Sequence, residues 1–172
     1  MLSPSEHWCW TYCPQRQQLV LDMNAELAFP VPFGPEQLHL PASEQAFTMQ
    51  DAERYWQLLE VLEQGGLDAE QRLYFTLTAL AAINFMRAQG HKSWYFADIA
   101  NHRPLHSLQL VELVGQQGVL ALVLTTDGQC AQTLLLQPAV TLTCKALATG
   151  TVLRLLTSRL RPYQAAVMRR SA

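Results

Sequence analysis

Apolar residues near the start of the chain recur at every second position. Trp8, Trp10 and Tyr12 do so first, and after a turn at Cys13-Pro14-Gln15-Arg16 the alternation returns as Leu19, Leu21 and Met23 against Val20 and Asp22. Period two sends successive side chains to opposite faces of a strand, so these runs predict an antiparallel hairpin, 7–12 with 18–23, buried on one face. A turn at Asn24-Ala25-Glu26 leads into a third run, 27–33. Pro30 and Pro32 cannot donate to a ladder, so that strand is expected to be short or at an edge. Residues 34–47, with Pro35 and Pro41, read as irregular.

The period then changes to that of a helix. Thr48 with Asp51 three residues on forms an approximate capping box, and Gly65-Gly66 ends the helix. Its stripe is Tyr55, Leu58, Leu59 and Leu62, with Glu53, Glu60 and Glu63 outward. Asp68 with Gln71 opens a second helix that is expected to run to about Ala88 and stop at Gly90. Along it Leu73, Leu77, Leu80, Ile83 and Phe85 are joined by Ala79, Ala81 and Ala82, so most of its girth is apolar and it should lie buried between layers. Asn84, the polar exception, reads as a satisfied core amide. The block Lys92-Ser93-Trp94-Tyr95-Phe96 reads as a strand following the helix.

Residues 98–107 form a polar, proline-containing connector, and a domain boundary is expected there, giving domains 1–100 and 101–172. Beyond it, 108–114, 119–126, 129–137 and 139–147 read as strands, with turns at Gly115–Gly118 and Asp127-Gly128. In the last of them Thr141, Thr143 and Lys145 alternate with Val140, Leu142 and Cys144. Segment 151–160 suits either a helix or a closing strand; the need to cover a sheet edge favours the strand. The expected class is α+β: an N-terminal α/β domain with a small antiparallel sheet and two helices, then a small β-barrel-like domain ending in a short disordered tail.

Composition adds that 172 residues, 49% of them hydrophobic, suffice for a packed core. The net charge of −2 calls for neither nucleic acid nor an anionic membrane as an obligate partner, but its distribution is uneven. All 14 acidic side chains precede residue 128, whereas Lys145, Arg154, Arg159, Arg161, Arg169 and Arg170 follow it with no acidic residue among them. Such a segment suits an acidic partner. An RNA-binding β domain is the alternative, weakened because Tyr163 is the sole aromatic after Phe96. A second basic island, Arg87, His91 and Lys92, is flanked by Phe85 and Trp94. A basic rim around an aromatic is common anchor chemistry, although Arg87 and Lys92 would also complement the negative end of a helix dipole.

No motif for catalysis is present: neither a phosphate loop, nor Gly-x-Ser-x-Gly, nor Cys-x-x-Cys. Consecutive residues of His91-Lys92-Ser93 would point to opposite faces of a strand and not converge. Glu60 and Glu63 read as solvated. Cys9-x3-Cys13 and His102-x3-His106 lack the pairing that structural zinc needs, and no cofactor or metal is expected. The start of the chain lacks the basic and apolar runs of a secretory leader, and its most apolar run, Val119 to Thr126, falls short of the ~20 residues of a membrane span. A cytoplasmic protein with no membrane partner is the expectation. A small-molecule site between the two domains is a third reading.

Trp8-Cys9-Trp10-Thr11-Tyr12, Leu19-Val20-Leu21-Asp22-Met23, Lys92 to Phe96, Leu135-Leu136-Gln137-Pro138 and Arg159-Leu160-Arg161-Pro162 stand in an order and spacing that resembles the ZapC family of FtsZ-associated cell division proteins. The resemblance covers most of residues 6–162 and is strongest in the two aromatic blocks and in 67–88. It implies a non-catalytic cytoplasmic adaptor, recruited to the division site at midcell, that binds FtsZ, promotes lateral association of its polymers and lowers GTP turnover. It also matches Arg87 to a basic position of family helices and sets Lys92 at the head of a family block. With the basic segment this gives Arg87, Lys92, Trp94, Arg154, Arg159 and Arg161 as the FtsZ-binding candidates. A monomer or weak dimer is expected.

Overall fold

The computed structural model describes residues 2–165. The chain resolves into two compact units. Within the described residues, one comprises 2–60 together with Asp68–Gly90; the other comprises Val61–Leu67 and 91–165, including the 98–107 connector. Two helices and mainly antiparallel sheets make the class α+β.

In the first unit β1 (Cys9–Cys13), β2 (Gln18–Asn24), β3 (Leu27–Pro30) and β4 (Gln45–Ala46) form a sheet in the order β3-β2-β1-β4. Cys9 faces Asp22 and Trp10 faces Leu21, the register that the alternation demands. Trp8, Trp10, Leu19, Leu21 and Met23 are buried. β3 is four residues long and lies at the edge, where Pro30 needs no ladder partner on its outer side.

α1 (Met49–Glu63) starts at a reciprocal cap. The Thr48 amide donates to Asp51 Oδ2 at 2.9 Å, and the Asp51 amide to Thr48 Oγ1 at 3.1 Å. Asn84 Nδ2 donates to the other oxygen of the buried Asp51 at 2.9 Å, so the polar exception of α2 (Ala69–Phe85) is a satisfied amide that ties two helix ends together. Trp8 and Trp10 pack edge-on against Tyr55 and Phe85 at 5.8 and 5.3 Å between ring centroids. Tyr55 donates its hydroxyl to the Leu2 carbonyl at 2.6 Å, and burial raises its pKa.

α2 ends at Phe85, three residues before the expected Ala88. Beyond it the backbone turns extended, because the Phe85 carbonyl accepts the His39 amide at 2.7 Å and the Arg87 amide donates to the Gln37 carbonyl at 2.8 Å. Pairing with a distant loop outcompetes another helical turn.

In the second unit β5 (Gln109–Val114), β6 (Gly118–Thr126) and β7 (Cys130–Leu135) form a meander. Residues 139–147 are not one strand but a tight hairpin of β8 (Ala139–Val140) and β9 (Ala146–Leu147). The reason lies in Thr141. It is buried, its Oγ1 accepts the Lys145 amide at 3.0 Å, and Cys144 takes a φ of 63° to close the turn. Segment 151–160 supplies a strand, β10 (Val152–Leu156), then a 3-10 turn, Thr157–Arg159, that leads to β11 (Arg161–Pro162).

The main sheet runs β10-β7-β6-β5-β11, so Thr157–Leu160 alone connects strands at its two edges. A flat five-stranded sheet is at least ~19 Å across, whereas this link, partly 3-10, spans roughly 13 Å. The sheet is therefore strongly curled. Phe96, Val111, Leu113, Val119, Ala121, Val123, Leu153 and Leu155 form the core of the unit. On the other face of β6, Leu120, Leu122 and Leu124 are buried as well, and Gly65 backs onto Leu110 and Leu120, which explains why 61–67 groups with this unit. The expectations for the tail and for Arg169 and Arg170 lie outside the described residues.

Candidate functional site

The second aromatic block is a 3-10 turn, Ser93–Tyr95, not a strand. Ser93 decides this. Its buried hydroxyl accepts the Leu156 amide at 2.8 Å and lies 3.1 Å from His91 Nδ1, while the Lys92 amide donates to the Arg154 carbonyl at 2.8 Å. His91 and Ser93 thus do converge, as residues two apart can on one side of the chain, while the Lys92 ammonium turns away to Trp94. Bonds from Tyr95 to Lys92 and from Phe96 to Ser93, at 3.0 and 3.2 Å, close the turn, with Ser93 and Phe96 as inward anchors. Trp94 between them is thrown outward and is 53% exposed.

Around Trp94 the surface is cationic. Lys92 Nζ stands 5.3 Å from the centre of the Trp94 ring, and the His91 ring meets Trp94 edge-on at 5.9 Å. Beside it, Lys145 Nζ lies 5.4 Å from the Tyr95 ring and 3.2 Å from its hydroxyl. The β8–β9 hairpin brings Lys145 there, because the Leu142 amide donates to the Tyr95 carbonyl at 2.9 Å. Val140 and Leu142 from the same hairpin are exposed. Lys92 and Lys145 form no ion pair among the described residues. The result is an apolar and aromatic centre rimmed by ammonium groups.

The other candidates are differently employed. Arg154 reaches Asp127 at 3.4 Å. Asp127 in turn accepts the Cys130 and Gln129 amides at 2.8 and 2.9 Å, and these bonds, helped by Arg154, lower its pKa. Arg159 donates to the Phe96 carbonyl at 3.0 Å, and Arg161 pairs with Glu112 at 2.6 Å. Arg87 is in the first unit, where its Nε donates to the Leu38 carbonyl at 2.9 Å. Phe85, expected to flank the basic island, is buried.

Tyr95, Lys145, Val140 and Leu142 were not singled out as site residues from the sequence. Membership of the basic segment after residue 128 was the one available signal for Lys145; nothing local marks its approach to Tyr95, fifty residues earlier. Among the described residues no three His, Cys, Asp or Glu side chains are grouped to hold a metal ion, and no helix is long and apolar enough to cross a membrane. The four cysteines are free thiols.

Residues 1–87 match the family described as Cell-division protein ZapC, N-terminal, and residues 89–166 match Cell-division protein ZapC, C-terminal. The chain is similar to the cell division protein ZapC of Tolumonas auensis, at 30% identity over 96% of this chain and 95% of the relative. It is likewise similar to ZapC of Pseudoalteromonas atlantica, at 31% over 79% of each chain, and of Proteus mirabilis, at 29% over 95% and 91%. With both halves matched in order and the aromatic blocks in place, the chain belongs to the ZapC family of cell-division proteins.

Proposed function

We propose that this chain is a non-catalytic division adaptor that binds FtsZ through the Trp94 face, promotes lateral association of FtsZ polymers and lowers GTP turnover. It acts in the cytoplasm, recruited to midcell. Family membership supports the partner. The observation that carries the choice of surface is the exposed Trp94 ring under Lys92 beside Tyr95 under Lys145. Aromatic anchors carry most of the binding energy at interfaces, and unpaired lysines at the rim steer an acidic partner such as FtsZ is expected to be. Arg154, Arg159 and Arg161, already engaged within the fold, stand behind these two lysines as secondary candidates.

Base stacking is a weaker reading of the same residues, because a lysine already occupies one face of each ring and stacking platforms need those faces open. The test is co-sedimentation with GTP-assembled FtsZ. Wild-type chain should pellet with the polymers, less so at raised salt. Lys92→Asp with Lys145→Asp should abolish pelleting with little change in melting temperature, since both side chains are at the surface. Arg87→Asp is a less clean probe, because it also removes the bond to Leu38. Wild-type chain that ignores FtsZ polymers would sink the functional reading; a folded double variant that still pellets would move the interface.

A further inference from the structure

The Trp94 face has a counterpart of opposite charge. Met49, Glu53, Trp56 and Glu60 follow one another at four, three and four residues along α1, which sets them in one stripe, and all four are exposed. Met49 is 87% and Trp56 45% exposed. Trp56, held edge-on against Tyr55 at 5.2 Å, stands between carboxylates one turn to either side, as Trp94 and Tyr95 stand under two ammonium groups. Charge over the two units runs the same way. Among the described residues the first holds ten acidic and four basic side chains, the second four and six.

We propose that the Met49–Glu60 stripe of one molecule docks on the Trp94 face of a second copy of this chain. A solvated acidic helix face requires neither an exposed methionine nor an exposed tryptophan, and both are enriched where proteins meet. Charge selects the occupant. A carboxylate–tryptophan–carboxylate stripe repels another acidic surface and attracts a lysine-rimmed aromatic one. Because the two patches differ, the contact is heterologous: each copy in a pair keeps one patch free, and association proceeds head to tail unless a ring closes. The inference rests on the proposed function only in that both contacts use the Trp94 face, so a copy whose Trp94 face is taken by a neighbour's stripe cannot bind FtsZ through it, whereas the copy at the end of a pair can.

Sedimentation velocity of the purified full chain over a concentration series tests this. The sedimentation coefficient should rise with concentration at low salt and fall back at high salt. Glu53→Lys/Glu60→Lys and Lys92→Glu/Lys145→Glu should each weaken association at least about tenfold, and an equimolar mixture of the two should restore it, because the reversed charges again match. Trp56→Gln, which leaves every charge in place, is the second probe and should weaken association too. The Glu53/Glu60 variant should still pellet with FtsZ, whereas the Lys92/Lys145 variant should not. Wild-type chain that stays monomeric throughout, or folded stripe variants that associate as wild type does, would overturn the proposal, as would loss of FtsZ binding in the Glu53/Glu60 variant, which would assign the stripe to FtsZ. Self-association that follows these charges in a chain that does not bind FtsZ would uphold this inference while rejecting the functional reading.

Discussion

The two aromatic blocks of this chain look alike in sequence and meet opposite fates. Trp8 and Trp10 lie in the first strand region and are buried among Phe47, Tyr55 and Phe85, whereas Trp94 rides on a 3-10 turn with half its surface in water. Aromatic content does not separate them; the hydrogen bonds on offer do. The first block faces a strand of matching period five residues downstream, so a hairpin absorbs its backbone. The second is interrupted by Ser93, whose hydroxyl captures the amide of Leu156 and bends the chain. A buried tryptophan serves folding, and one held outward on a fixed turn is free to serve recognition.

That contrast can be broken experimentally. Trp10→Ala removes a fully buried ring, and should lower stability by about 3–5 kcal/mol, read as a shift in the urea or thermal midpoint. Gly115→Ala comes next, because a Cβ there would collide with the Val140 backbone carbonyl that fixes the β8–β9 hairpin; a loss of about 1–3 kcal/mol is expected, with weaker FtsZ pelleting as Lys145 is displaced. Ser93→Ala strands the Leu156 amide and should lower stability by about 1–2 kcal/mol while loosening the turn under Trp94, seen as a change in its fluorescence. Trp94→Ala should leave stability within about 1 kcal/mol of wild type yet remove FtsZ pelleting. Stability effects of equal size at Trp10 and Trp94 would erase the distinction.

The smallest effect is a matter of pH. Asp127 sits in the turn before the strand that meets β10, and its folded-state pKa is depressed, chiefly by the Cys130 and Gln129 amides. A carboxyl depressed on folding stabilises the fold above its ordinary pKa and loses that contribution as pH falls through the lower folded value. Asp127→Asn should therefore melt slightly below wild type at neutral pH, and the two midpoints should converge on acidification. A gap that widens in acid would contradict this sign.

What could be read from the sequence was what neighbours decide. Thr48 with Asp51 and Asp68 with Gln71 are capping partners three residues apart, and both boxes form. Period two in 7–23 gave a hairpin, and Pro30 gave an edge. The departures turn mainly on partners far along the chain: the Leu156 amide for Ser93, the Gln37–His39 loop for the end of α2, and for the 139–147 hairpin the Tyr95 carbonyl on Leu142 beside the local bond from the Lys145 amide to Thr141. The candidate site follows the same division. Lys92 and Trp94 stand out within one block, but Lys145 joins them only through the fold, and a count of charges cannot tell a guanidinium donating to Phe96 from one facing solvent.

The short return from β10 to β11 bears on how the protein is made. β11 is the strand that covers the edge of β5, and the Tyr163 amide donates to the Leu110 carbonyl just beyond it. A ribosome therefore releases β5 about fifty residues before its outer neighbour, an interval of roughly 2–10 s at ~5–20 residues per second. During that time Gln109–Val114, a mostly apolar strand, is paired on one side only and exposed to strand pairing with other nascent chains. Completion of this sheet is thus timed by the arrival of Arg161 and Pro162, and a message truncated before Arg161 would yield a chain with that edge permanently open.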